Sequence, residues 1–137
     1  MDIFVLDTSL IVKWFCKGEK GCQKAADYFQ QIISNQITVF LPELAKYELS
    51  NVLLKGKQLD YKEAKKILSD FFSLPINFIS ETKESILNSY KIAQKLNITL
   101  YDASFLFLAK SLNATLVTAN PRHQKSIYGI KVKAINS

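Results

Sequence analysis

The sequence predicts a single three-layer α/β domain, in which a mostly parallel sheet of four to five strands has helices on both faces. Two observations support this fold class. Short runs of β-forming residues alternate with longer amphipathic segments, and such alternation requires crossover connections between parallel strands. The chain of 137 residues also has the usual length of one domain, so we expect positions 1–137 to form one folded unit.

The N-terminal half alternates between strand and helix patterns. A continuous apolar run, typical of a strand buried on both faces, stops at the helix-capping residues 7–9, and an apolar segment through Trp14 and Phe15 follows. Pro42 suits the first position of a helix, where its missing N–H would have no partner. Apolar residues at helical spacing mark the other helices of this half. The predicted elements are strands at 3–6 and 37–41 and helices at 19–33, 42–55 and 61–72.

The C-terminal half continues the alternation. Thr99 is placed to cap a helix whose apolar face includes Phe105 and Leu106. Asn120 and Pro121 follow a short β-forming run and predict a turn or a short helix. The predicted elements are strands at 76–79, 115–118 and 130–135, the last at the sheet edge, and helices at 82–96 and 100–112.

Composition narrows the class of partner. The 18 lysine and arginine residues outnumber 12 acidic residues, and this net charge of +6 favours an anionic partner such as nucleic acid, a membrane face or an acidic protein. Cys16, Cys22 and the single His123 cannot supply a four-ligand zinc site. No apolar run approaches the ~20 residues of a membrane span, and the N-terminus lacks a signal-peptide pattern. We therefore expect a cytoplasmic protein without membrane association.

Polar residues follow two of the predicted strands. In parallel α/β sheets, ligands bind beyond the carboxyl ends of the strands. Asp7 ends the first strand, and Asn120, which would otherwise be a helix cap, follows the strand at 115–118. Asp102 lies in the first turn of its helix, on the same face as Phe105. If the two strands are neighbours, the side chains of Asp7 and Asn120 meet at one edge of the sheet.

Glu48 is the most informative acid in the sequence. On a helix that starts at Pro42, it lies between Leu44 and Val52, on the stripe that should face the core. A carboxylate buried there without a partner is costly, because desolvation disfavours its charged form. A bound metal ion would compensate that cost.

Each acid also has a purely structural interpretation. Asp7 would cap the helix that follows it, and Asp102 would complete a capping box with Thr99. Glu48 would extend into solvent or pair with a lysine such as Lys46. The convergence of three acids from three elements, and not any one of them, favours a metal site.

Clustered carboxylates are the hard oxygen ligands that Mg²⁺ and Mn²⁺ prefer. A bound metal can lower the pKa of a coordinated water, so phosphodiester hydrolysis needs no histidine base. Other chemistries lack their motifs. The sequence has no G-x-S-x-G elbow, its four glycines form no phosphate-binding loop, and residues 7–9 lack the second aspartate of a haloacid-dehalogenase-type phosphatase.

Four sequence blocks resemble those of the PIN domain, and most closely those of VapC-like toxins of bacterial and archaeal toxin–antitoxin pairs. The blocks are VLDTS at 5–9, PELAKYELSNVL at 42–53, TLYDASFLFLA at 99–109 and LVTAN at 116–120. They occur in order and extend over essentially the whole chain. The resemblance implies a Mg²⁺- or Mn²⁺-dependent ribonuclease. It also implies that the metal is held by Asp7, Glu48 and Asp102.

The resemblance assigns supporting roles to further residues. Ser9, two residues after the first acid, and Thr118 in the fourth block would support the site by hydrogen bonding. The chain departs from the family pattern at Asn120, where many members have an acid. Because an amide brings no negative charge, one-metal catalysis and a two-metal mechanism both stay open.

Lysines around a helix–helix turn are candidates for contact with an RNA backbone. These residues are Lys55, Lys57, Lys62, Lys65 and Lys66. They would add salt-dependent, sequence-independent affinity, or would simply form a solvated helical face. Trp14 and Tyr101 would stack bases or belong to the core.

Three functions are compatible with the sequence. The first is an endoribonuclease toxin, for which the resemblance implies a small antitoxin protein as inhibitor and a homodimer. The second is a PIN fold without activity that binds RNA or protein, an interpretation favoured by Asn120 and opposed by the three retained acids. The third is another enzyme that uses the same metal cluster, either a phosphatase or a DNA-directed nuclease. The sequence does not distinguish RNA from DNA as the substrate of a nuclease.

Overall fold

The computed structural model describes residues 2–15, 21–120 and 129–135. Its strands form one five-stranded sheet in the order β3-β2-β1-β4-β5, and every neighbouring pair is parallel. The predicted fold class is therefore confirmed. The strands are β1 (Asp2–Leu6), β2 (Ile37–Pro42), β3 (Asn77–Ile79), β4 (Thr115–Thr118) and β5 (Lys131–Ala134).

Six α-helices connect the strands in the described part of the chain. They are α1 (Thr8–Val12), α2 (Cys22–Ile33), α3 (Ala45–Asn51), α4 (Tyr61–Phe72), α5 (Lys83–Leu96) and α6 (Leu100–Leu112). The predicted helix at 61–72 has these bounds, and those at 82–96 and 100–112 are confirmed to within a residue. The predicted start at Glu19 and the turn from Pro121 onward lie outside the described residues.

The helix predicted to begin at Pro42 was placed wrongly at its start. Pro42 is instead the last residue of β2, in register with Ile79, and α3 begins three residues later. The N–H of Glu43 donates to the Ile79 carbonyl at 3.0 Å, so pairing with β3 continues past the proline without the N–H that proline lacks. Strand pairing at this position outweighs the helix-start preference of proline.

The carboxyl end of this helix is irregular. Residues Val52–Gly56 form a π-helical turn, in which the N–H of Lys57 donates to the carbonyl of Val52 at 2.8 Å. Such widened turns occur often at functional sites. The first helix is shorter than its apolar pattern suggested, since α1 ends at Val12 and Trp14 lies in a following turn.

Both faces of the sheet are covered. Val5 and Leu6 are consecutive residues of β1, both fully buried, and Leu116 and Val117 repeat this in β4. Because successive side chains of a strand point to opposite faces, the burial requires packing on both sides. Helix α6 contacts β1, β2 and β4, and α2 contacts β2. No helix among the described residues has the length and apolar character needed to cross a membrane.

The strand order creates a switch point at the centre of the sheet. The chain runs from β1 to β2 and β3 on one side, and then crosses to β4 and β5 on the other. The N–H of Asp7 donates to the Val117 carbonyl at 2.9 Å, which continues the β1–β4 pairing one residue beyond β1. In open α/β sheets, the crevice at such a point is the usual ligand site.

A capping box fixes the start of α5, and its removal should cost about 1 kcal/mol of unfolding free energy. The N–H of Ser85 donates to Thr82 Oγ1 at 3.1 Å, and the N–H of Thr82 donates to Ser85 Oγ at 2.8 Å. We expect Thr82→Ala to lower stability by this amount in urea denaturation. The matched control, Ser80→Ala in the preceding loop, should stay within about 0.5 kcal/mol of wild type. Equal effects of the two changes would contradict the role of the cap.

Candidate active site

A cavity of about 650 Å³ opens at the carboxyl end of the sheet, beside the switch point. All three acids predicted from the sequence line it, although they come from the end of β1, from α3 and from α6. The lining includes Asp7, Ser9, Glu48, Lys57, Asp102 and Asn120. Thr118, the remaining predicted site residue, is buried and hydrogen-bonds to Asp7.

Asp7 is held by two hydroxyl groups on one of its oxygens. Ser9 Oγ donates to Asp7 Oδ2 at 2.9 Å, and Thr118 Oγ1 donates to the same oxygen at 2.7 Å. The two hydroxyl groups in turn accept the backbone N–H groups of Ala119 and Asn120 at 3.1 and 2.9 Å. This network fixes the orientation of the carboxylate before any ligand arrives.

The network contradicts the helix-cap interpretation of Asp7. The residue occupies the N-cap position of α1, but its side chain accepts no hydrogen bond from a backbone N–H of that helix. It is only 7% exposed, and its Oδ1 accepts no hydrogen bond from the described residues. A buried carboxylate oxygen without a donor is costly unless it binds a cation or water.

Glu48 is held by a residue that the sequence did not single out. Thr8 Oγ1, itself buried, donates to Glu48 Oε1 at 2.7 Å, which joins α1 to α3. Burial raises the pKa of Glu48 above its ordinary value of 4.5, and the charges of Asp7 and Asp102 raise it further, while the Thr8 hydrogen bond lowers it. Lys46 does not neutralise Glu48, because it pairs with Glu43 and lies over the ring of Phe78.

Asp102 lies in the first turn of α6, as its capping pattern suggested. The N–H of Asp102 donates to Thr99 Oγ1 at 3.0 Å, so the threonine half of the predicted cap is present. The carboxylate lines the same cavity as Glu48 and contributes to its raised pKa. A capping role and a place in the cavity are therefore compatible.

The donor set fits a hard divalent cation. Glu48 Oε2, like Asp7 Oδ1, accepts no hydrogen bond from the described part of the chain, so each of these two acids has one anchored oxygen and one that is left for a cation. A cation would also relieve the repulsion that the charges of Asp7 and Asp102 exert on Glu48. Within residues 2–15, 21–120 and 129–135, no group of three or more His, Cys, Asp or Glu side chains is already arranged to hold a metal ion. A cation held by all three acids would require their side chains to move closer together.

The candidate RNA-contacting lysines differ in their position relative to the cavity. Lys57, which follows the π-helical turn, lines the cavity, whereas the other four are exposed residues that do not line it. Lys66 pairs with Asp70 along α4 at 3.3 Å. Trp14 donates its indole N–H to the Ala25 carbonyl and packs against Phe29, as in the core interpretation.

Thr8 and Tyr47 also line the cavity and were not among the predicted site residues. Thr8 was interpreted only as part of a capping run, and Tyr47 was not considered. Their positions in the sequence could have indicated a place in the cavity. Thr8 follows Asp7 and Tyr47 precedes Glu48, and each lies on a helix that reaches the cavity. Tyr101, considered as a core or stacking residue, is exposed and also lines the cavity.

A family model described as the PIN domain matches residues 4–129. The chain belongs to the PIN domain family. No curated protein matches this PIN domain by sequence. Solved structures share its fold, among them VapBC2 from Rickettsia felis, bound to a DNA fragment from its promoter, with a TM-score of 0.73 at 19% identity over 96% of this chain and 98% of that chain.

Two further solved structures have the same fold as this PIN domain. PAE2754 from Pyrobaculum aerophilum has a TM-score of 0.70 at 21% identity and covers 96% of this chain and 83% of its own. VapC20 from Mycobacterium tuberculosis, a sarcin–ricin loop cleaving toxin, has a TM-score of 0.70 at 12% identity, with 95% and 99% coverage. At these identities, the similarity concerns the arrangement of strands and helices.

Proposed function

We propose that this PIN domain is a metal-dependent endoribonuclease and the toxin of a toxin–antitoxin pair. The observation that carries the proposal is that Asp7, Glu48 and Asp102, which come from three separate elements, line one and the same cavity. These acids would hold Mg²⁺ or Mn²⁺. When bound, the metal activates a water and neutralises charge that develops on the phosphate.

The remaining residues of the site orient the acids and attract the substrate. Ser9 and Thr118 hold Asp7 by one oxygen, and Thr8 does the same for Glu48. Lys57 places a positive charge on the cavity lining, where it would attract a phosphate group. Asn120 contributes no charge, so the cavity attracts a second cation less strongly than four acids would.

The partners of this PIN domain belong to the same proposal. The Rickettsia felis structure is a VapBC assembly, and a structure from Salmonella typhimurium with 17% identity and a TM-score of 0.73 is a DNA-bound VapBC assembly. These similarities support a small antitoxin protein as a partner, and we propose that this partner blocks the cavity. We also propose a homodimer and a cytoplasmic location, where RNA substrates are available.

The direct test is cleavage of labelled single-stranded RNA by the purified chain in Mg²⁺ or Mn²⁺, with EDTA as the metal-free control. A DNA strand of matched sequence, assayed in parallel, separates a ribonuclease from a DNA-directed nuclease. We expect RNA cleavage that requires metal and exceeds DNA cleavage. A preference for DNA would refute the RNA assignment but retain the metal site.

The second candidate is a PIN fold that binds RNA or protein without cutting. Asn120 favours it, because the site lacks a fourth carboxylate. The burial of Asp7 and the partial burial of Glu48 argue against it, because carboxylate oxygens without a partner are costly and a binding module would not need them. RNA binding without cleavage in either metal would support this candidate.

The Thr8–Glu48 hydrogen bond provides a prediction of its own. Thr8→Val keeps the shape of the side chain but removes the donor, so Glu48 is no longer oriented toward the cavity. We expect cleavage or metal affinity to fall by about 10- to 100-fold, the usual effect of losing a residue that orients a metal ligand. Thr8→Ser retains the hydroxyl group and should restore most of the loss. Equal losses in the valine and serine variants would show that packing, and not the hydrogen bond, is responsible.

A further inference from the structure

Two tyrosines stand beside the acids of the cavity. Tyr47 immediately precedes Glu48 on α3, and Tyr101 immediately precedes Asp102 on α6. Because consecutive helical residues point about 100° apart, a helix that turns its acid toward the cavity presents the preceding residue at the margin. Both tyrosines line the cavity, so the same sequence arrangement occurs on two of its walls.

Neither tyrosine is part of the hydrophobic core. Tyr47 is 83% exposed and Tyr101 is 60% exposed, and neither ring belongs to the hydrophobic core or contacts another aromatic ring in the described residues. Their hydroxyl groups form no hydrogen bond with that part of the chain. Two large aromatic rings are therefore left to contact a ligand of the cavity.

The surroundings of the two rings select nucleic acid over peptide as that ligand. Three carboxylates and Lys57 line the same cavity as the two rings, an arrangement that suits a phosphate bridged by a cation. A volume of about 650 Å³ accommodates a nucleotide-sized group. Aromatic rings beside a backbone-binding groove are the usual platforms for unpaired bases.

We propose that Tyr47 and Tyr101 stack on the bases that flank the phosphate at the acids. The inference rests on the proposed ribonuclease function and adds to it two residues that contact the substrate bases. Bases within a duplex are stacked on one another and cannot reach the two rings, whereas loop nucleotides can be splayed onto them. The two tyrosines are specificity residues, while the acids hold the metal.

The test measures RNA affinity apart from cleavage. A fluorescently labelled single-stranded RNA is titrated with the chain in EDTA, so that the strand stays intact, and the same strand annealed to its complement is the duplex control. The variants are Tyr47→Ala and Tyr101→Ala, each with its phenylalanine counterpart. Tyr90→Ala is the matched control, because Tyr90 lies on α5, is 61% exposed and does not line the cavity. Circular dichroism verifies that every variant is folded.

We expect each alanine variant to lose about 5- to 100-fold in affinity for the single strand, the range of one base–aromatic stack. The phenylalanine variants keep the ring and should bind within about twofold of wild type. Duplex affinity should be lower and equal in all variants. In cleavage assays with metal, the alanine variants should raise KM more than they lower kcat, because stacking holds substrate and transition state alike.

Three outcomes would overturn the inference. If Tyr47→Ala and Tyr101→Ala bind RNA as Tyr90→Ala does, the rings face another partner, such as a protein, and the ribonuclease proposal is unaffected. If the phenylalanine variants lose as much as the alanine variants, the hydroxyl groups and not the rings contact RNA. If wild type binds neither single strand nor duplex in EDTA or in Mg²⁺, both the inference and the proposed function are wrong.

Discussion

Replacing Asp7 with asparagine should lower the rate of metal-dependent RNA cleavage by about 1,000-fold, because a metal ligand contributes several kcal/mol to the transition state. The asparagine oxygen can still accept from Ser9 and Thr118, so the network around Oδ2 is retained. The group that replaces Oδ1 is then an NH₂, which repels a cation and donates no electron pair. We therefore expect the fold to survive and the metal site to be lost.

The control for this change lies on the same strand. Asp2→Asn makes the same chemical substitution at the opposite end of β1, where the side chain is exposed and distant from the cavity. Cleavage rates of both variants are compared in Mg²⁺ and Mn²⁺, and metal binding is measured by isothermal titration calorimetry. Retention of more than about a tenth of the wild-type rate by Asp7→Asn would exclude this acid as a ligand essential to catalysis.

Replacing Glu48 with glutamine should produce opposite effects on activity and stability. Cleavage should fall by at least about 100-fold, because the cavity loses one of three charges that attract the cation. The metal-free protein should become more stable by about 1 kcal/mol, an increase of ~3 °C in Tm, since an unfavourable charge is removed. Glutamine can still accept the hydrogen bond from Thr8 at Oε1.

The stability difference should depend on pH in a defined direction. The folded pKa of Glu48 lies above its ordinary value of 4.5, so the folded state holds the proton more tightly than the unfolded state. The contribution of Glu48 to the unfolding free energy of the wild type is therefore highest below pH 4.5, and it falls as pH rises through the folded pKa. The advantage of Glu48→Gln should be absent in acid, grow above this value and level off at neutral pH.

Thermal unfolding of wild type and Glu48→Gln across pH, with and without Mg²⁺, measures these effects. In EDTA the variant should melt above wild type at neutral pH, and added Mg²⁺ should stabilise wild type more than the variant. Glu84→Gln, an exposed acid on α5, is the control and should show neither effect. A variant that melts below wild type in EDTA would contradict an unfavourable charge at this position.

Most elements of the fold follow from local sequence patterns. The bounds of α4 and the capping of α6 by Thr99 agree with prediction, because periodicity and capping involve residues within a few positions of one another. Pro42 is the instructive error. Its helix-start preference is local, but pairing with β3, which comes from a distant part of the chain, decides its conformation.

The sequence by itself determined which acids face inward. Asp7 follows a buried strand, Glu48 lies on the apolar side of its helix, and Asp102 sits in the first turn of another. These are consequences of strand and helix geometry and need no knowledge of the neighbours. The cluster of carboxylates then indicated a hard divalent cation, and the resemblance to a known family added the ribonuclease activity.

Only the tertiary structure decided what surrounds those acids. Thr118 reaches Asp7 across 111 positions because β4 lies beside β1, and Thr8 reaches Glu48 across 40 positions because α1 contacts α3. The same packing brings Lys57, and not the neighbouring lysines, to the cavity. Such contacts depend on strand order and helix packing, which are decided by how the whole chain buries its apolar residues. The local sequence around each residue carries no periodic pattern that would predict them.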